Sequence, residues 1–336
     1  MINISRRSFL KASSAIAAVC VLPKYANASE FSFKFGNDVP LHHPSTLRAQ
    51  EAAERIFKET DGRLKITVFP ASQLGTDTDC LSQVRSGALE FFSVSGLIIS
   101  TLLPVASITA MGFAFKNYDE VWHAADGALG AYLRGQMEKV GLIGLEKKFD
   151  SGFRVTTTSK GPINSPSDFN NLKLRVPPTP LYTSMFRALG AAPTVINFTE
   201  CYSALQTHVA DGQENPLSLI ELSRFYEVQK YCSITNHAWD GWWNIVNAKA
   251  FNRLPPQIRE SVEKNFAQAA IDQRADIQVV TQASIKNLEK NGMSFAYPDV
   301  SEFRKVLSAK GFYAEWKEKF GKEAWANLEK SSGPLT

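Results

Sequence analysis

The sequence predicts an α/β protein of two lobes braced by one long helix. Three observations carry this. Apolar runs of period two alternate with runs of helical period between residues 31 and 94, and again between 172 and 212. The 336 residues suffice for two cores. From Ile258 the apolar positions Val262, Phe266, Ala269, Ile277 and Val280 recur at helical spacing, and no Gly or Pro interrupts until Gly292. A helix of that length reaches roughly 54 Å.

The first 28 residues stand apart. Ser5-Arg6-Arg7-Ser8-Phe9-Leu10-Lys11 has the form of a twin-arginine signal. An apolar run from Ala12 to Leu22 follows, and Ala26-Asn27-Ala28 offers a small-residue cleavage site. Residues 1–28 are therefore read as an export signal, which sends the mature chain to the periplasm. The apolar run is too short for a membrane span. The signal carries Arg6, Arg7, Lys11 and Lys24 and no acid, so Lys plus Arg falls from 37 to 33 without it, equal to the 33 Asp plus Glu. A near-neutral mature chain argues against a nucleic-acid partner, and any anion specificity has to come from local arginines. Cys20 leaves with the signal. Cys80, Cys201 and Cys232 remain, without metal-ligand spacing. They read as small buried hydrophobes, and a Cys201–Cys232 disulfide is left open.

In chain order, Phe31, Phe33 and Phe35 alternate as a first strand. Asn37, Asp38, His42 and His43 fill the loop after it. Ser45 begins a helix that Asp61-Gly62 ends. Leu64, Ile66 and Val68 make the next strand, and residues 80–86 and 89–94 a short helix and a strand. His42-His43 lacks a further ligand at a helical offset, and Asp77-Thr78-Asp79 lacks the glycine and distal glutamate of a calcium loop. No metal is expected at either. Leu97 to Ala114 is eighteen residues without a charge. Pro104 and Gly112 argue for a buried core segment rather than a membrane helix. A helix is expected from Asn117 to about Lys139, then strands over 142–149 and 153–157. The chain is expected to cross between lobes near 150–153.

Residues 172–216 carry most of the functional information. Leu172, Leu174 and Val176 alternate as a strand, with Lys173 and Arg175 in the other phase. Thr179 and Pro180 open a helix that Gly190 stops. Residues 192–198 make a second strand, Thr199 caps a further helix, and Asp211-Gly212 turns it off. Ligands of such βαβ units bind beyond the carboxyl ends of the strands. Arg175, Phe198 and Asn215 fall there: a cation, an aromatic face and an amide. Beyond them, 218–232 reads as a helix. Three of six tryptophans follow within five residues, in Trp239-Asp240-Gly241-Trp242-Trp243. This stretch is expected to return the chain to the first lobe. Trp239 and Trp242 would wall a ligand, Asp240 would accept from a ligand hydroxyl, and His237 reads as structural. Residues 300–328 add amphipathic helices.

LKLRVPPTPLY, APTVINFTECYSALQT and above all VADGQENPLS resemble the signature of the solute-binding proteins of TRAP (tripartite ATP-independent periplasmic) transporters, in the dicarboxylate-receptor branch. The resemblance runs from about Phe31 to the C-terminus. It implies a two-lobed periplasmic-binding-protein fold: lobe I from residues 29–152 plus 241–280, and lobe II from 153–240 plus 281–336. It implies that Arg175 clamps a substrate carboxylate, with Asn215 and Arg154 as further donors. Asp38, Asp77 and Ser95 match contact positions on lobe I. A member of the family has a carboxylate at the Ser95 position and an amide at that of Pro178, so the ligand is expected to be a less polar or differently substituted acid. The expected partners are a small organic acid and the TRAP membrane permease subunits. The protein is expected to be a monomer without cofactor and not an enzyme; no phosphate-cradling glycine loop or dinucleotide fingerprint is present. The alternatives are a ligand sensor for a membrane kinase and a periplasmic enzyme exported by the twin-arginine route.

Overall fold

The computed structural model describes residues 29–335. The twin-arginine segment at 1–28 lies outside the described residues. Ten strands form one mixed sheet: β1 (Phe31–Gly36), β2 (Leu64–Phe69), β3 (Phe91–Ser95), β4 (Leu142–Gly144), β5 (Phe149–Thr158), β6 (Lys173–Val176), β7 (Ala192–Val195), β8 (Gly212–Pro216), β9 (Tyr231–Asn247) and β10 (Ser294–Ala296). Their order is β2-β1-β3-β9-β5-β8-β6-β7, with β4 and β10 also paired to β9. The sheet holds two parallel three-stranded units. One is β2-β1-β3 and the other is β8-β6-β7. Two long strands, β5 and β9, lie antiparallel between them.

β9 has 17 residues, so it extends for roughly 55 Å. Its second half pairs with β3 and β4. Its first half pairs with β10 and with the end of β5. The β5–β9 ladder breaks twice, between Asp150 and Gly152 and between Arg154 and Thr156. An extra residue in one strand bends and re-aims it. Gly152 has φ +110°, a conformation that a side chain disfavours.

The 35-residue helix Pro256–Lys290 runs beside these strands. Its first half packs Ile258, Val262, Phe266 and Ala269 against Phe35, Ile56 and Phe91 of the first unit. Phe266 stacks on both Phe35 and Phe91, with ring centres 5.6 Å apart in each case. Its last turns pack Leu288 with Val155, Leu205, Ile220 and Cys232 of the second unit. A third core lies elsewhere and joins Leu97–Ala114 to Trp239, Trp243 and the C-terminal residues Phe303, Trp316 and Trp325. The uncharged 97–114 stretch is accordingly core, folded as a short helix (Gly96–Ile99) and a 3-10 turn (Pro104–Ala110). The last three helices are Val300–Ala309, Phe312–Phe320 and Lys322–Ser332. The last of them packs on the helices at 118–138, so 322–332 sits against residues assigned from sequence to lobe I.

Several expected elements differ. The helix expected over 117–139 is two helices, Tyr118–Ala125 and Ala128–Glu138. The break falls where Arg274 holds the Asp126 carboxylate at 2.7 and 2.8 Å. A Cβ on Gly127 would lie 2.2 Å from the His123 carbonyl oxygen. The helix expected over 218–232 ends at Leu222, because Arg224 turns left-handed (φ 58°) and Tyr231 already pairs in β9. The strand expected over 142–149 is split at Gly144. The strand expected over 192–198 stops at Val195, and Phe198 opens the next helix. Cys80, Cys201 and Cys232 are buried free thiols.

Candidate functional site

Where the carboxyl ends of the two parallel units face each other, a cavity of about 30 Å³ is lined by Asp38, Asp77, Ser95, Leu97, Ile98, Ser151, Arg154, Arg175, Pro177, Phe198, Asn215, Leu219, Asp240 and Trp242. Topology explains the convergence. Asp38 follows β1, and Ser95 ends β3. Arg175 sits near the end of β6, Phe198 follows β7, and Asn215 sits near the end of β8. Nine of the ten residues singled out from sequence line this cavity. A larger surface groove of about 580 Å³ runs along Gln50, Phe57 and Val68, but its charged residues Glu54, Lys58 and Lys65 are all exposed.

Arg175 is 1 % exposed. Its Nε donates to the Ile196 carbonyl at 2.9 Å, which fixes the plane of the guanidinium. Among the described residues its terminal nitrogens have no hydrogen-bond partner, and no carboxylate lies within ion-pair distance. A buried cation without a bonded counter-charge is costly. Asp38 and Asp77 belong to the opposite wall. Burial and the neighbouring Asp77 charge push the Asp38 carboxyl well above its ordinary range. Burial raises Asp77 to about 6, against the pull of Arg175.

The second arginine is differently placed. Arg154 Nε donates to Glu214 Oε2 at 2.5 Å, and Nη2 donates to Glu214 Oε1, to the Glu214 carbonyl and to Asn215 Oδ1, each at 2.9 Å. Only Nη1 stays loosely held, 3.5 Å from Asp240 Oδ2. Burial opposes the charge of Glu214, but Arg154 and the hydrogen bond from His237 outweigh it and hold this carboxyl low. His237 Nε2 lies 3.1 Å from Glu214, and its Nδ1 lies 2.8 Å from Thr235 Oγ1. Burial pushes His237 below its usual value. Asn215 in turn donates to Gln213 at 2.6 Å. Arg154, Glu214, His237, Asn215 and Gln213 are thus one buried network presenting two side chains to the cavity.

Asp240 is also occupied: Ser95 Oγ donates to its Oδ2 at 2.6 Å and the Gly241 amide to its Oδ1 at 2.8 Å. Ser95 Oγ accepts from the Leu97 amide at 3.0 Å and so caps the following helix. Trp242 lines the cavity with His43 edge-on behind it at 5.3 Å. His43 Nδ1 accepts from the Ser45 amide at 3.1 Å and caps the first helix. Burial lowers His43 to about 3, so it is neutral.

Trp239 is the correction. It is 1 % exposed and does not reach the cavity. Its Nε1 donates to Asp150 Oδ1 at 2.8 Å, Trp122 meets its face edge-on, and Lys148 Nζ lies 4.8 Å from its ring centre. The reason is strand parity: Asp240 and Trp242 share one face of β9, and Trp239 takes the other. Among lining residues, Leu97, Ile98, Ser151, Pro177 and Leu219 were missed from sequence, and so was the supporting Glu214. Glu214 had a signal: a carboxylate inside a run that becomes a central strand needs a buried cation. Ser151 had none, since it is the bulge residue that redirects it. Among the described residues no group of three or more His, Cys, Asp or Glu could hold a metal ion.

Comparison with known proteins bears on this geometry. The sequence pattern of the bacterial extracellular solute-binding protein family 7 (DctP) matches residues 35–319. An uncharacterized protein of Sinorhizobium fredii, y4mM, is 33% identical over 320 residues, 91% of this chain; the chain spans 59% of that protein's length. The C4-dicarboxylate-binding periplasmic protein DctP of Rhodobacter capsulatus is 31% identical over 267 residues, covering 79% of this chain and 80% of the relative. The sugar acid binding protein DctPAm of Advenella mimigardefordensis, solved in complex with galactonate, superposes with a TM-score of 0.86 at 29% identity, covering 92% of this chain and 100% of the other.

Proposed function

This chain belongs to the bacterial extracellular solute-binding protein family 7, the receptors of TRAP transporters, and we propose that it holds a small organic acid by its carboxylate against Arg175. The observation that carries the reading is the Arg175 guanidinium: buried, fixed by a single bond to Ile196, and facing the cavity with its terminal N–H groups unused. A carboxylate satisfies two of these in one bidentate contact. Such charge-assisted bonds contribute about 1.5–3 kcal/mol each. Asn215 and Arg154 Nη1 add donors beside it, and Phe198 and Trp242 pack on the carbon skeleton.

Residues 1–28 direct twin-arginine export to the periplasm. There the lobes open and shut about the β5 and β9 crossings, with bending at the bulge beside Gly152 and near Gly241. Ligand contacts to both walls exist together only in the shut form, so binding shifts the population toward it. The shut receptor, a monomer, delivers its cargo to the permease.

A thermal-shift screen tests the reading. A ligand that binds only the folded state stabilises it by RT ln(1 + [L]/Kd). At least one organic acid is expected to raise the melting temperature, and its methyl ester is expected not to. Equal shifts from acid and ester would remove the carboxylate from the account.

A further inference from the structure

We propose that the wall opposite Arg175 selects the other end of the ligand: Asp38 and Asp77 require a hydrogen-bond donor there, so the receptor takes a monocarboxylate with hydroxyl or ammonium groups at its far end and rejects a plain dicarboxylate. This rests on the reading of Arg175 as the carboxylate site.

The inference follows from which acceptors in the cavity are spent and which are open. Three carboxylates line it, those of Asp38, Asp77 and Asp240. Asp240 is saturated by Ser95, the Gly241 amide and Arg154. The charge of Glu214, behind the cavity, is matched by Arg154. Asp38 and Asp77 are different. Asp38 Oδ1 is shut off from solvent without a donor. Asp77 is 7 % exposed, and no donor reaches its side chain among the described residues. At pH 8 Asp77 is ionised and only accepts hydrogen bonds, while burial holds Asp38 toward its protonated form beside it. The pair thus keeps a negative charge and open acceptor oxygens, and a ligand group beside it has to donate.

A second ligand carboxylate would meet the opposite situation. It too is acceptor-only, and like charges forced together in a buried site repel strongly. Arg175 does not offset this, because it serves the first carboxylate. Arg154 does not either, because four of its hydrogen bonds go to Glu214 and Asn215. The raised positions of both acids agree with this picture: burial holds both up, the charges of Asp77 and Asp240 raise Asp38 further, and Arg175 pulls both down, with a backbone hydrogen bond also lowering Asp38. Ser95 adds to the contrast. Its hydroxyl proton goes to Asp240 at 2.6 Å, so it has no donor left for a ligand carboxylate.

Calorimetry on the exported full-length protein at pH 8, where Asp77 is ionised, tests this with size-matched probes. The four-carbon set is D-erythronate, 4-aminobutyrate and succinate. The six-carbon set is D-galactonate, 6-aminohexanoate and adipate. In at least one set, a hydroxylated or ammonium-bearing acid is expected to bind tenfold or more tightly than the dicarboxylate. The hydroxyl and ammonium probes separate the two donor chemistries. Asp77→Asn is expected to shrink that ratio at least fivefold. Asp38→Asn reads the same ratio should the Asp77 variant fail to fold. A dicarboxylate bound as tightly as its partners, or a ratio unchanged in the Asn variants, overturns the proposal. The same titrations on Arg175→Ala keep the two readings apart. Loss of binding for every probe there leaves the carboxylate site standing whatever the ratio. Unchanged affinity there removes both.

Discussion

Asp150 illustrates how much of the chemistry at this site is set by burial. It is fully buried, and burial raises its carboxyl to about 7, against the hydrogen bond from Trp239 and the charge of Arg274. An acid raised in the folded state binds more protons there than when unfolded. Its stabilising contribution is therefore complete below 3.8 and is lost as pH rises through 7. The displacement from 3.8 to about 7 corresponds to roughly 4 kcal/mol at most. Asp150→Asn removes that loss, so its melting temperature relative to the parent is expected to climb between pH 4.5 and pH 8; a constant difference would contradict the assignment. Glu214 is the converse case. Removing it as Glu214→Ala strands the buried Arg154, and urea unfolding is expected to show a loss of about 3–5 kcal/mol. The sequence made Arg175 and Asn215 visible because polar groups at strand ends announce themselves, and Arg154, in the middle of β5, only through the family resemblance. It hid the division of labour between the arginines, because that depends on which one Glu214 reaches.

Among the elements, the long helix was the most legible, since a 3.6-residue period over 35 residues admits one reading. Its function as a brace was less so. Gln273, midway along it, accepts from the Asp150 amide at 2.7 Å and donates to the Asp150 carbonyl at 2.8 Å. Arg274 beside it donates to the Lys148 carbonyl at 3.0 and 2.9 Å and holds Asp126. The helix thus grips β5 immediately before its first bulge, by contacts that no local pattern encodes. Gln273→Ala leaves a buried amide and carbonyl unpaired, at about 1–3 kcal/mol each. Hydrogen exchange at the Asp150 amide is expected to accelerate by at least tenfold, while amides in β1 and β2 keep their protection. Uniform acceleration would mean that the contact serves global stability rather than the crossing. Strand parity marks the other limit of sequence reading. Trp239 and Trp242 were grouped by proximity in the chain, yet an odd spacing in a regular strand separates their faces.

For the whole molecule, the order of strands brings the carboxyl ends of two parallel units together from positions more than 130 residues apart, with Asp38 on one and Arg175 on the other. The alternation of strands and helices foretold two such units. Crossings near 150–153 and 239–243 were expected, but not that β5 and β9 pair there to join both units into one ten-stranded sheet, because pairing between distant strands leaves no local trace. In solution, the acid found by the thermal-shift screen is expected to reduce the radius of gyration measured by small-angle scattering; an unchanged radius would argue against bending at the crossings. The account as a whole turns on Arg175, and calorimetry of Arg175→Ala with that same acid tests it most directly. The expected result is at least a tenfold loss of affinity in a variant that is folded and unfolds cooperatively without ligand. Undiminished affinity in a folded variant would contradict the account.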